Sequence, residues 1–169
     1  MANAANLESE GAIRLRIDLL SGEGRELGDK NIYRIIDIKP NQTLRKLHNS
    51  IFSAFDRFDW HLHDFWFGSD QPWDYDESTA KGSKRYGVPD EDGPFPGDVP
   101  CIDSSRVRML TLNLKPGDVF YYNFDFGDDW WHRITVLALD VPLHEAVRYP
   151  LLVEKIGESP AQYRRWDED

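Results

Sequence analysis

The segment DVFYYNFDFGDDWWHRITVLALD, residues 118–140, constrains the fold most. Two runs rich in aromatic and β-branched residues flank Gly127-Asp128-Asp129. That pattern predicts an antiparallel hairpin, because Gly and Asp interrupt strand-forming sequence where the chain has to reverse. With the reversal centred on 128–129, Asp125 faces His132, Asn123 faces Ile134 and Tyr121 faces Val136. On the other side Phe126 meets Trp131 and Phe124 meets Arg133. A turn centred on 127–128 would oppose Asp125 to Trp130 instead. The first register is preferred because it pairs a carboxylate with an imidazole, and favourable cross-strand pairs contribute roughly 0.2–1 kcal/mol each.

Other segments add strands to this hairpin. AIRLRIDLL alternates, with Ile13, Leu15, Ile17 and Leu19 on one face and Arg14, Arg16 and Asp18 on the other, as a half-buried strand does. The glycine-rich SGEGRELGDK then leads to NIYRIIDI, a second strand paired with the first. Gly22 and Gly24 lack the third glycine and the following helix of a dinucleotide loop, so they read as a turn. WHLHDFWFG reads as a strand with His61, His63, Phe65 and Phe67 on one face and Leu62, Asp64 and Trp66 on the other. VRMLTLNL and YPLLVEKIG read as further strands, and Pro116-Gly117 suits a type II turn.

One helix is expected, within KPNQTLRKLHNSIFSAFDRF. Asn41 or Thr43 supplies a side-chain oxygen to cap the free N–H groups of its first turn. Leu44, Leu47, Ile51 and Phe55 recur three and four apart and form its apolar stripe, with His48 and Phe52 alongside. Residues 68–105 differ in character, holding five glycines and five prolines in 38 positions. A loop of that length is a functional or disordered element when it has no structure of its own. Its acidic runs include PDEDG, which lacks the ligand spacing and closing glutamate of a calcium loop. The expectation is α+β: a mainly antiparallel sheet of six or seven strands, one principal helix and a long acidic Pro/Gly-rich loop. Residues 12–160 make a single domain between a flexible N-terminus (1–11) and a polar tail (161–169).

Composition narrows the functional classes. Hydrophobic residues at 40% and aromatics at 13% suit a folded domain rather than a disordered chain. Thirty acidic against twenty basic residues give a formal charge of −10, which disfavours generic contact with phosphate backbones. Lys81-Gly82-Ser83-Lys84-Arg85 is the one short basic stretch that would support association with DNA. A single cysteine, Cys101, excludes an internal disulfide and a cysteine zinc cluster. No stretch approaches the ~20 apolar residues of a membrane span, and MANAANLESEG lacks the basic and apolar regions of a secretory signal. A cytoplasmic protein is expected.

Three readings of the Asp125 region follow. In the first, Asp125 and His132 form an acid/base or metal-orienting pair, since a carboxylate fixes the imidazole tautomer and raises its basicity. His61, His63 and His132 with Asp125 would then bind a divalent metal such as zinc or manganese. In the second, Tyr122, Asp125, Trp130, His132 and His48 line an aromatic pocket for a protein or small-molecule partner, with no cofactor. In the third, the aspartates form the turn, the aromatics are core, and Asp125–His132 is a satisfied structural hydrogen bond. Asp-Phe-Gly does not signal a kinase, because the Gly-rich loop, the HRD motif and the strand lysine are missing. Nucleophilic catalysis has little support, since Cys101 has no electropositive setting and no serine occupies an elbow motif.

TLRKLHNSIFSAF, HLHDFWF, FYYNFDFGDDWWHRI and YPLLVEKIGESPAQY, in that order, resemble the plasmid pRiA4b ORF-3-like family, whose members also occur as passengers of transposable elements. The resemblance covers residues 12–163. Tyr122, Asp125, Phe126, Gly127, Asp128, Trp130 and His132 match its most specific motif. Leu47, His48 and Phe55 match the helix motif, and His61, Leu62 and Phe65 the strand motif that follows. The resemblance implies a compact α+β domain with a mainly antiparallel sheet, and implies no established activity. Many relatives end in a Pro-Pro-Glu-Asp and glycine segment where this chain has Glu158-Ser159-Pro160-Ala161-Gln162-Tyr163. Resolvase-type labels attached to the family imply a DNA role that the acidic charge and the absence of a catalytic-serine context do not support. Sequence thus favours a non-enzymatic binding module, with a metal-dependent hydrolase-like enzyme second and a DNA-associated accessory protein third.

Overall fold

The alternating and aromatic segments assemble into one sheet in the computed structural model, which describes residues 11–68, 70, 82–94 and 96–163. Along the chain the elements are β1 (Gly11–Gly22), β2 (Arg25–Glu26), β3 (Tyr33–Ile38), α1 (Leu44–Ala54), β4 (His63–Phe67), β5 (Lys84–Gly87), β6 (Cys101–Asp103), β7 (Val119–Phe124), β8 (Trp130–Pro142) and β9 (Leu151–Ile156). The sheet order is β6-β5-β4-β7-β8-β1-β3-β9, with β2 paired to β1. Only β5 and β6 run parallel among the described strands, so the sheet is mixed but mainly antiparallel. The α+β class and the single principal helix stand as expected. Among the described residues there are nine strands against the six or seven expected, because β2, β5 and β6 are too short to show periodicity.

The helix forms where its apolar stripe predicts. Thr43 caps it, its side-chain oxygen accepting from the Lys46 N–H, and Leu44, Leu47, His48, Ile51 and Phe52 are buried. That stripe packs with Ile13, Leu15, Ile17 and Leu19 of β1, Phe65 of β4, Phe120, Tyr122 and Phe124 of β7, and Trp130, Ile134 and Val136 of β8 in one hydrophobic cluster. A smaller cluster of Trp66, Tyr121 and Trp131, flanked by Leu20 and Val99, takes residues of the alternate parity in β4, β7 and β8. Both sets are buried, so β7 and β8 read as near-continuous apolar runs rather than clean alternations.

Three sequence expectations are corrected. VRMLTLNL is not a strand: Met109–Leu112 form a 3-10 turn ending at Asn113 in the left-handed region. The backbone N–H groups of Met109 and Leu110 donate to the carbonyls of Gln42 and Pro40, which pins the segment to the start of the helix and buries Met109. Strand β4 begins only at His63, leaving Trp60, His61 and Leu62 in an irregular segment. The third correction is the hairpin register. β7 and β8 pair Tyr122 with His132, Asn123 with Trp131 and Phe124 with Trp130. Asp125 therefore does not face His132; it starts a five-residue connection through Asp129.

Within the long loop, residues 84–87 and 101–103 are strands. Residues 1–10, the acidic run 74–77, Lys81 and residues 164–169 lie outside the described residues. Gln162, placed by sequence in a polar tail, is buried and binds the 57–61 segment. Among the described residues no helix is long and apolar enough to cross a membrane.

Candidate functional site

The Asp125–Asp129 connection is built by its own aspartates. Asp125 (φ 60°) and Asp129 (φ 51°) both take the left-handed conformation, which Asp tolerates better than most residues. The Asp125 Oδ1 accepts from the Gly127 N–H at 3.1 Å and the Asp128 N–H at 3.4 Å. Its backbone carbonyl accepts from the Asp129 N–H at 2.7 Å, and Asn123 Nδ2 donates to Asp129 Oδ1 at 2.9 Å. Asp and Asn at both ends of the connection were the sequence signal for a wider turn.

Asp125 does meet an imidazole, but a different one. Its Oδ2 lies 3.4 Å from His61 Nε2, and its backbone N–H donates to the Leu62 carbonyl at 2.9 Å. His61 Nε2 is also 2.8 Å from the Tyr163 hydroxyl, which donates to Asp59 Oδ2 at 2.6 Å. That hydrogen bond to the carboxylate, with weaker help from burial and the charge of Asp59, raises the Tyr163 phenol to about 12. Burial, and then the neighbouring carboxylates Asp125, Glu23 and Asp129, raise Asp128 above the ordinary carboxylate range, while His61 works against that shift. An Asp–Tyr–His–Asp network thus runs from exposed Asp59 inward to buried Asp125, between the irregular segment 57–62 and the turn.

His48, His63 and His132 lie beneath it, inside the protein. The His48 and His63 rings stack with centroids 3.6 Å apart and planes 8° from parallel. His48 Nδ1 meets the Tyr122 hydroxyl at 2.8 Å, and His63 Nε2 meets Ser104 Oγ at 3.3 Å. His132 packs edge-on against Phe55, 4.7 Å between centroids, and 5.2 Å from Tyr122. Desolvation is the main cause in all three cases, and it pushes His48 down to about 2, His63 to about 4 and His132 to about 3. Neighbouring charge adds to it: His63 and Arg45 for His48, Arg45 for His63, and mainly Arg57 for His132. All three are neutral at pH 7.

The sequence-derived candidates therefore divide. Tyr122, His48, His63, His132 and Trp130 are interior, while the buried Asp125 meets the part-exposed His61 at the edge of the interior. Among the described residues no three or more His, Cys, Asp or Glu side chains are arranged to hold a metal ion. Arg85, in the short basic stretch, is committed to Asp64, Nε to Oδ2 at 2.7 Å.

Sequence reasoning missed Phe58, Asp59, Trp60, Tyr163 and Arg57. Phe58, Trp60 and Leu62 are 68%, 63% and 51% exposed. Trp60 stacks on Phe52 at 4.1 Å, and Phe58 meets Tyr163 edge-on at 5.8 Å, so the exposed rings are positioned rather than loose. The signal is present in FDWHL, where apolar residues alternate with Asp59 and His61, but Phe58 falls at the end of the expected helix segment and Trp60 at the start of the expected strand, which splits the alternation.

Comparison with known proteins agrees with this architecture. A crystal structure of the protein of unknown function MM3350 from Methanosarcina mazei Go1 superposes with a TM-score of 0.62 at 22% identity, over 88% of this chain and 71% of that one, which is a likeness of fold. No curated protein is significantly similar to the chain. The family model for plasmid pRiA4b ORF-3-like proteins matches residues 12–162, spanning β1 through Gln162, and the chain belongs to that family.

Proposed function

We propose that the protein is a non-enzymatic binding module that engages a basic protein segment through the surface formed by Phe58, Trp60, Leu62 and Tyr163. The observation that supports this reading is the exposure of three large apolar side chains within five residues, beside the carboxylates of Asp59 and Asp128. Single exposed apolar residues are ordinary, but a local concentration of them marks an interaction surface. Aromatic side chains are the usual anchors of such interfaces, because they bury much area at a small entropic cost. The flanking carboxylates and the net charge of −10 select a partner rich in Lys or Arg, through cation–π contact and charge complementarity.

Selection of a random peptide library on the wild-type protein, with counter-selection on Trp60→Ser, tests the proposal. Enriched sequences should combine Lys or Arg with an apolar anchor and lose binding on Trp60→Ser and Phe58→Ser. Enrichment of acidic or uncharged sequences, or of basic ones indifferent to both substitutions, would overturn it.

A further inference from the structure

A second site sits deeper, at Arg57. Its side chain is 6% exposed and lies over the Trp130 ring, Cζ 3.8 Å from the ring centroid. Only Nη1 is engaged, donating to the Pro160 carbonyl at 2.9 Å. Nε and Nη2 are buried and no described group accepts from them. Trp130 Nε1 in the same stack is also buried without an acceptor, and the Arg57 charge reaches His132 close by. Arg57 Nε and Nη2 and Trp130 Nε1 are all donors, so the missing partner is an acceptor.

The acceptor's chemistry follows from which guanidinium atoms are free. Nε and Nη2 form one edge of the planar group, and that edge matches the two oxygens of a carboxylate in a bidentate pair. The nearby carboxylates face other cations: Asp56 Oδ2 meets Lys155 Nζ at 2.6 Å and Glu23 Oε2 meets Arg25 Nη2. A buried cation with no paired anion is unfavourable, because its lost hydration is not replaced. The contrast with Arg34 is informative. That side chain is fully buried too, yet it donates to the carbonyls of Tyr33, Ala54, Ile156 and Gly157 and to Ser159 Oγ. The fold supplies acceptors generously to one interior arginine and leaves an edge of the other open.

We infer that the Nε/Nη2 edge of Arg57, stacked on Trp130, is a binding site for a carboxylate. The site is independent of the surface at Trp60. The carboxylate has two sources, a free small acid or the chain's own Asp167, Glu168 and Asp169, a few residues beyond Tyr163.

Nuclear magnetic resonance of the arginine Nε–Hε groups in the full-length protein tests this directly. The Arg57 signal is assigned by its proximity to the Trp130 ring and by its loss in Arg57→Lys. Sodium formate, compared with sodium chloride at equal ionic strength, should shift that signal saturably and raise the melting temperature. The full-length Asp167→Asn/Glu168→Gln/Asp169→Asn variant separates the sources: a shift before formate is added, followed by tighter formate binding, assigns the carboxylate to the chain itself. An Arg57 signal unmoved by formate and by tail neutralisation alike would overturn the inference, leaving solvent as the acceptor.

Discussion

The hydroxyl of Tyr122 and Nδ1 of His48 meet at 2.8 Å across 74 residues of sequence, joining strand β7 to the buried face of the helix. Both groups are interior, so each is the other's replacement for water. Tyr122→Phe keeps the ring and strands the imidazole nitrogen. Leaving a buried polar group unsatisfied costs about 1–3 kcal/mol, so the urea midpoint should fall with the slope unchanged. In a double-mutant cycle with His48→Phe, the second substitution should cost less than it does alone. Additive losses would show that the pair is geometric only.

The turn makes a sharper forecast at Asp125. This residue combines a left-handed φ of 60° with a side-chain oxygen that accepts from the Gly127 and Asp128 N–H groups. Asp125→Asn preserves both properties and loses only the partly exposed contact to His61, worth at most about 1 kcal/mol. Asp125→Ala loses the acceptor and strains the backbone, and should cost ~2 kcal/mol. Thermal melts that rank Asn with Ala would mean that the turn does not depend on this side chain.

Those two residues also show what was legible in the sequence and why. Helix α1 could be read because its stripe, Leu44, Leu47 and Ile51, repeats at a period that only a helix satisfies, with Thr43 at its cap. Strands β1, β3, β7, β8 and β9 could be read from apolar runs and turn residues. The pairing between β7 and β8 could not, because it depends on the length of the turn, and a five-residue connection closed by Asp125 and Asp129 shifts the partner of His132 by three positions, to Tyr122. That odd shift moves Asp125 off the face that carries His132. The placement of Arg57, Phe58 and Asp59 depends on hydrogen bonds to Pro160 and Gln162, about a hundred positions away, which local periodicity does not encode.

Gly22 closes the end of β1 against Trp130, where a Cβ would lie 2.1 Å from Cε3 of a fully buried ring. Gly24, two residues on, has φ +68° but open space around it. Gly22→Ala therefore forces the ring, and with it the Arg57 stack, to move, at about 1–3 kcal/mol. Gly24→Ala meets only backbone strain, ~1 kcal/mol. Near-ultraviolet circular dichroism should change for Gly22→Ala and not for Gly24→Ala; unchanged tryptophan signals in both would contradict the close approach.

Acid should unfold this protein through its interior histidines. In the folded state His63 titrates near about 4, His132 near about 3 and His48 near about 2, all below the unfolded value of 6.5. Between those values and 6.5 the unfolded chain binds protons that the native state refuses, so stability is full above about pH 6.5 and declines as pH falls. Each ring contributes at most about 1.4 kcal/mol per pH unit. Asp64 has the opposite sign. Desolvation raises it to about 6, against the pull of Arg85, from the ordinary carboxylate value of 3.8. Between 6 and 3.8 the native state is thus the one that takes up the proton, and acidification favours folding at that site. Asp64 offsets roughly one histidine over that window. Asp64→Asn should lower stability at pH 7 by breaking the Arg85 pair and should also steepen its decline between pH 6 and 4, by up to ~1.4 kcal/mol per unit. Urea midpoints measured across pH 4–8 for wild type, Asp64→Asn and His63→Gln separate the two signs, since His63→Gln should flatten the decline that Asp64→Asn steepens. A wild-type midpoint constant from pH 7 to 4.5, with neither variant changing the slope, would mean that these groups titrate alike in the folded and unfolded chains.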